Sequence, residues 1–248
     1  MVRRAARSSN RRPMTEPTSH SARPEVRHSP AAVSIDALMR QWARQEAAPA
    51  GVAYVVDREI SARRRGGELW QHLDAIAVAV LARPQAIDIA SVDLLWIAAS
   101  LGAADALGTL TQRDHGCIWP DRVEADPGLD VAITAVDELG PGRIDRAVLI
   151  VRVAPSAAVG AATEVATALV DSLRSASALL DDPDQLVRRY NDRCVNIGQN
   201  TSASLLPRGS VRGIATGIDP SGALVITSPT GLAESIAVPI LDQLHAID

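Results

Sequence analysis

The sequence predicts an α+β chain: a mixed, mainly antiparallel sheet with packed helices, followed by a small all-β module. Three observations carry this. Four apolar, β-branched runs at 51–56, 74–82, 130–136 and 144–153 have the length and composition of strands, and "ELGPGR" between the last two supplies a hairpin turn. Two longer apolar segments, 91–110 and 157–180, are helix-sized. Beyond Gly198 the chain changes to short alternating segments around the turn "DPSG".

The elements follow in order. Residues 1–30 are rich in Arg, Ser, Pro and His without hydrophobic period, and predict a disordered tail. Arg3, Arg4, Arg7, Arg11 and Arg12 there are either solvated or a contact for an acidic partner. Ser34 caps a helix whose face is Ile35, Leu38, Met39 and Trp42. "GVAYVV" reads as a buried strand, and "DAIAVAVLA" is apolar on both faces, so that strand is covered on both sides, or covered on one and packed closely on the other. "SVDLLWIAASLGAADALGTL" is apolar nearly all round and predicts a buried helix. In the second long helix Ala162, Val165, Leu169, Leu173, Ala176 and Leu180 form one stripe. "DPDQ" restarts a helix, with Asp182 as cap, Pro183 in the first turn and Gln185 reaching back. That helix is expected to carry "LVRRYNDRC" and end near Gly198. In 211–229, Ile214, Thr216 and Ile218 alternate before the turn, Leu224 and Ile226 after it. The expected division is a tail (1–30), an α/β domain (31–195) and a small C-terminal β domain (196–248).

Composition narrows the function classes. With 47% apolar residues the chain buries a sizeable core, and a net charge of −4 shows no basic bias toward nucleic acid. The 25 basic residues are all Arg. No side chain can therefore form a lysine Schiff base or offer a point-charge ammonium to a phosphate. Two cysteines, Cys117 and Cys194, make no disulfide scaffold and lack metal-ligand spacing. No apolar run approaches the roughly 18 residues of a bilayer span, and no apolar segment follows the basic N-terminus as in a secretory signal. The expectation is a cytoplasmic protein with neither a membrane nor a nucleic-acid partner.

The C-terminal part carries Tyr190, Ile197-Gly198, Gly217-Ile218-Asp219, Gly222 and Leu224-Val225 in that order. This resembles the C-terminal signature of the biotin–protein ligases, within the biotin/lipoate ligase family. Upstream, "ISARRRGGELW" (60–70), "GAADAL" (102–107) and "IWPDRV" (118–123) follow the order and spacing of that family's catalytic core. The resemblance spans residues 50–245. It implies a biotin/lipoate ligase-like α+β domain followed by a small SH3-like β-barrel, with no room in the first 50 residues for a DNA-binding winged helix.

The resemblance also implies a chemistry. Family members activate biotin with ATP and magnesium and transfer it to a lysine of a biotin carboxyl carrier protein; a homodimer is compatible with this. The Gly/Arg loop closes over the adenylate, and a Lys-Trp-Pro-Asn-Asp motif supplies a lysine that neutralises charge as acid meets phosphate. On that basis Arg63, Arg64, Arg65, Gly66, Gly67 and Trp70, with Trp119, Pro120 and Asp121, are the expected ligand-binding residues, Trp119 packing on the ligand. The departure lies in the lysines. Ile118 stands in the motif lysine's place, Asp121 and Arg122 replace the Asn and Asp, and Leu129 or Asp130 replaces a second family lysine. Arg122 is the candidate to supply the missing charge as the catalytic group, with an arginine of the loop, Arg63 to Arg65, as the alternative. A lost positioned donor costs on the order of 10² to 10³ in rate, so weakened catalysis is one reading. The other is an inactive relative that binds a ligand or carrier.

Local alternatives stand beside these. The triple-Arg segment reads equally as a flexible solvated loop. Asp105, inside an apolar helix, is expected to satisfy a partner rather than act in catalysis. His72 and His115 lack companions for metal binding, and Cys117 reads as a small core residue.

Overall fold

The computed structural model describes residues 23–247 except 73, 86 and 157. The expected tail therefore lies mostly outside the described residues, as do its five arginines. Its last part is corrected: β1 (Val26–Ser29) pairs in parallel with β2 (Ala53–Val56). The alternation that marks it is short and half exposed, so no hydrophobic period advertises it.

The main sheet has the order β1-β2-β3-β7-β6, with β3 (Ile76–Ala82), β6 (Val131–Gly140) and β7 (Arg143–Val153). All pairings but the first are antiparallel. β3 is buried along its whole length because both faces are covered. On one face Ala77, Ala79, Leu81, Val148 and Ile150 meet Ile35, Met39 and Trp42 of α1 (Ile35–Gln45), whose cap Ser34 accepts from the Ala37 N–H. On the other, Val78, Val80, Leu149 and Val151 share a core with α2 (Asp93–Thr111) and α3 (Ala162–Ala178). The α3 stripe is Val165, Leu169, Leu173 and Ala176; Ala162, expected on it, is exposed at the helix start.

The apolar segment Ile89–Thr111 is long and apolar enough by composition to cross a membrane, which corrects the sequence expectation. Here it is the central core helix: Leu95, Ile97, Leu101 and Leu107 are fully buried. Gly102 lets α3 approach, since a Cβ there would meet Leu173 Cδ2 at 2.9 Å.

α4 (Pro183–Asn191) starts at its Asp182 cap, which accepts from Gln185 N at 3.1 Å. It ends at Asn191 rather than near Gly198: the Asn191 side chain leaves the helix to accept from Ile218 N at 2.9 Å, and turns follow. A two-stranded pair, β4 (Cys117–Ile118) and β5 (Arg122–Val123), flanks the Trp-Pro corner.

The C-terminal domain is a small SH3-like barrel of order β11-β10-β9-β8-β12, formed by β8 (Asn200–Leu205), β9 (Ser210–Ile218), β10 (Leu224–Thr227), β11 (Ala233–Ile236) and β12 (Leu241–Ala246). The inward face of β9 is Val211, Gly213 and Ala215, while Ile214 is exposed. A register shift against β10 between Val225 and Ile226 then turns Ile218 inward. The expected Ile214, Thr216, Ile218 face is thereby corrected.

Candidate functional site

Most of the ligand-site residues singled out from the sequence converge on a cleft of about 580 Å³ between the α/β domain and the barrel. One wall is the Arg/Gly loop, contributing Arg64, Arg65 and Gly66. A second is the corner Pro120, Asp121 and Arg122, with the fully covered Trp119 behind them. Val123, Leu129, Val131 and Ile133 form an apolar floor, and β12 closes the cleft from the barrel with Leu241, Asp242 and His245.

The loop folds as a tight turn closed by its own hydrogen bonds. Arg64 N donates to Glu68 O at 2.8 Å, Arg63 bridges Leu69, and the Arg63 guanidinium donates to Gly67 O at 2.6 Å. Gly66 and Gly67 have φ of 75° and 82°, a region that side-chain-bearing residues seldom adopt. Arg65 reaches across the cleft: Nε donates to Asp121 Oδ2 at 3.3 Å, Nη1 to Leu241 O at 2.6 Å and Nη2 to Asp242 O at 3.2 Å. Arg64 pairs with Asp130 at 3.0 Å. Asp130 also accepts from the Trp70 indole N–H at 3.2 Å and pairs with His72 at 2.8 Å, so one carboxylate gathers three side chains.

Three expected ligand contacts are not at the cleft. Arg63 and Gly67 are turned into the loop's own hydrogen bonds, and Trp70 is buried beneath it with Ala62, Ala75, Ala132 and Ala154. Trp119 stands in the cleft wall but is covered. It is 0% exposed, so it presents no surface on which a ligand could pack. Its backbone N–H donates to Asn196 Oδ1 at 2.8 Å and its indole N–H to Gly222 O at 3.0 Å. The Trp-Pro corner is a joint between the sheet domain and the barrel, and the cleft opens beside it. The Trp119–Pro120 peptide is cis.

The corner's charged residues do face the cleft. Burial raises the Asp121 carboxyl's pKa, and the nearby Arg65 and Arg122 charges oppose the rise. Arg122 lies directly opposite Ile118 in the β4/β5 pair, so the two side chains are neighbours on one face. Ile118 does not line the cleft; Arg122 does. Of the three arginines lining it, Arg122 is the one with neither an ion pair nor a side-chain hydrogen bond among the described residues.

The remaining candidates resolve simply. Asp105 pairs with Arg189 at 3.1 Å and with Arg193. His115 is buried between Thr111 Oγ1 at 2.7 Å and Glu124 O at 2.8 Å. Burial pushes the Cys117 thiol up to about 12, so it behaves as an apolar core atom. Among the described residues no group of three or more His, Cys, Asp or Glu is placed to hold a metal ion.

Sequence reasoning missed Glu59, Arg152 and β12. Strand pairing and register bring them to the loop, and no local pattern marks them.

Residues 197–238 match the family profile described as the biotin protein ligase C terminal domain. The biotin protein ligase from Aquifex aeolicus in complex with biotin and ATP superposes with a TM-score of 0.70 at 15% identity, covering 90% of this chain and 99% of that one. This chain has the biotin protein ligase fold. The Leishmania major biotin protein ligase in complex with biotinyl-5-AMP gives 0.55 at 12% identity, over 86% of this chain and 99% of that one. The Helicobacter pylori biotin acetyl coenzyme A carboxylase synthetase with bound biotinylated ATP gives 0.53 at 11%, over 86% and 99%. No curated protein matches in sequence. The ligase fold thus covers both domains, while sequence similarity is concentrated in the barrel.

Proposed function

We propose that this chain is a biotin protein ligase-like protein. Its cleft binds biotin or a related carboxylic acid together with ATP and magnesium, forms the acyl-adenylate slowly, and passes the acyl group to a lysine of a biotin carboxyl carrier protein. One observation carries the reading: an unengaged guanidinium, Arg122, lines the cleft beside the position where the resemblance expects a lysine. A guanidinium can accept a carboxylate or phosphate on two parallel N–H bonds. Charge that appears only as acid meets phosphate would be met by this group, so its loss should harm turnover more than ground-state binding.

A second reading is favoured by the acids. Glu68, Asp121, Asp130 and Asp242 line the same cleft, and Arg64 and Arg65 are already engaged. Such a field disfavours a polyanion, and fits a relative that binds a ligand or carrier without chemistry.

Calorimetric titration with biotin, ATP-magnesium and biotinyl-adenylate, paired with biotin-dependent pyrophosphate release, separates the two. Slow release that Arg122→Ala lowers about 10²-fold and Ile118→Lys raises supports the enzyme. Ligand binding without pyrophosphate release supports the second reading. No binding of any of the three sinks both small-molecule assignments.

A further inference from the structure

We propose that Arg152 and Glu59 are a positioning pair for the cleft: a buried ion pair whose specific task is to hold the root of the Arg/Gly loop. Both side chains are 3% exposed. Arg152 Nε donates to Glu59 Oε2 at 2.6 Å and Nη2 to Oε1 at 3.1 Å. Nη1 donates to Thr134 Oγ1 at 2.9 Å and to the main-chain oxygen of Arg63 at 3.3 Å. Glu59 Oε1 also accepts from Ile35 N, at 2.9 Å. One fork thus joins the start of α1, strands β6 and β7, and the first residue of the loop.

Stability alone does not call for this arrangement. Two apolar side chains would fill the same space without desolvating two charges. What a guanidinium adds is several donors in a fixed plane, aimed here at acceptors on separate segments. The loop needs such an anchor because two adjacent glycines leave its tip with little conformational preference. Arg64 and Arg65 hold the tip from Asp130, Asp121 and β12. Arg152 holds the other end. None of Arg152, Glu59 or Thr134 lines the cleft, so the pair acts through the loop and not on a ligand.

The assignment of a role at the site rests on the proposed function; the mechanical claim does not, and it is tested without ligand. Trypsin cleaves after arginine, and residues 63–65 are three in a row. In the full chain, Arg152→Lys keeps the charge and loses the fork. It should be cut at 63–65 at least about tenfold faster than the parent, as expected for a locally opened segment, while cleavage after the α3 residue Arg174 stays unchanged. Glu59→Leu combined with Arg152→Met removes both charges; it should melt cooperatively and show the same loop-selective cleavage. Should the double variant not fold, amide exchange at residues 64–67 in Arg152→Lys decides. Equal loop cleavage or exchange in parent and variants overturns the pair's role. Acceleration at 63–65 and Arg174 alike also overturns it, since that reports global loosening. Loop loosening in a protein that binds neither biotin nor ATP would leave the mechanical claim standing and remove the proposed function instead.

Discussion

Two of the places where the barrel meets the α/β domain are built in opposite ways. Beside α2 the contact is closed. A Cβ on Gly222 would lie 2.6 Å from Leu94 N and 2.7 Å from Asp93 C, and the Trp119 indole N–H binds the Gly222 carbonyl. At the loop the contact is open and polar, made by Arg65 on the carbonyls of Leu241 and Asp242 across the cleft. The first joint is close-packed; the second leaves an open cleft. Both are reached from the same short corner, residues 119–122, so adjacent residues serve structure and site separately. Trp119 belongs to the joint and Arg122 to the cleft.

The contrast can be broken most severely at Gly222. Its φ of 93° and the backbone on its open side leave no room for a side chain. Gly222→Ala should cost about 4 kcal/mol from strain plus overpacking, measured by urea unfolding. A loss below about 1 kcal/mol would show that the joint is looser than described.

Next in size is a pH effect at the same joint. Asp93 accepts from Val238 N at 2.9 Å, its other carboxylate oxygen is buried without a partner, and burial pushes its pKa up to about 6. The folded value lies above the unfolded one, so the native state binds the proton more tightly. This group's contribution to stability rises as pH falls through about 6 and is complete below the unfolded carboxylate value. Asp93→Asn should flatten that part of the profile and stabilise the protein above neutral pH, by up to about 3 kcal/mol. A parent and a variant with parallel stability profiles between pH 4 and 7 (roughly the window between the two pKa values) would count against a charged, unpaired Asp93.

Trp119→Phe removes one hydrogen bond and leaves the Gly222 carbonyl buried without its donor. The expected loss is about 2 kcal/mol, read from the shift of the thermal midpoint, with no direct effect on ligand binding, because the ring exposes no surface to the cleft it borders. A weakened ligand affinity at unchanged stability would return Trp119 to the binding surface.

The smallest stability effect belongs to the open contact. Arg65→Gln should change global stability by no more than about 1 kcal/mol, yet speed amide exchange in β12. Unchanged exchange there would mean that Arg65 does not link the loop to the barrel.

Much of this architecture was legible in the sequence because period and turn chemistry are local. The hairpin of β6 and β7, the all-round apolar α2, the Asp182 cap and the barrel turn at Gly222 each announce themselves within a few residues. The order of the loop and the Trp-Pro corner was equally readable. What escaped depends on distant pairing. Arg65 and Leu241 are 176 positions apart, and Arg152 and Glu59 are 93 apart. The burial of Trp119 escaped for a related reason: a Trp at a pocket motif looks like a ligand platform until the barrel's carbonyl is seen to claim its N–H. The α4 end was misplaced because Asn191, a fair helix residue by pattern, is drawn off to bind β9.

Arg65 has one more consequence. It takes its acceptors from the main chain of the barrel's last strand, so an anion that draws its guanidinium away would leave two strand carbonyls to water. If the cleft takes an anion as proposed, its occupancy would be written into the C-terminal strand. The tail end of the chain becomes a gauge of what the loop is holding, readable by exchange or by a probe near residue 245 without any label on the ligand.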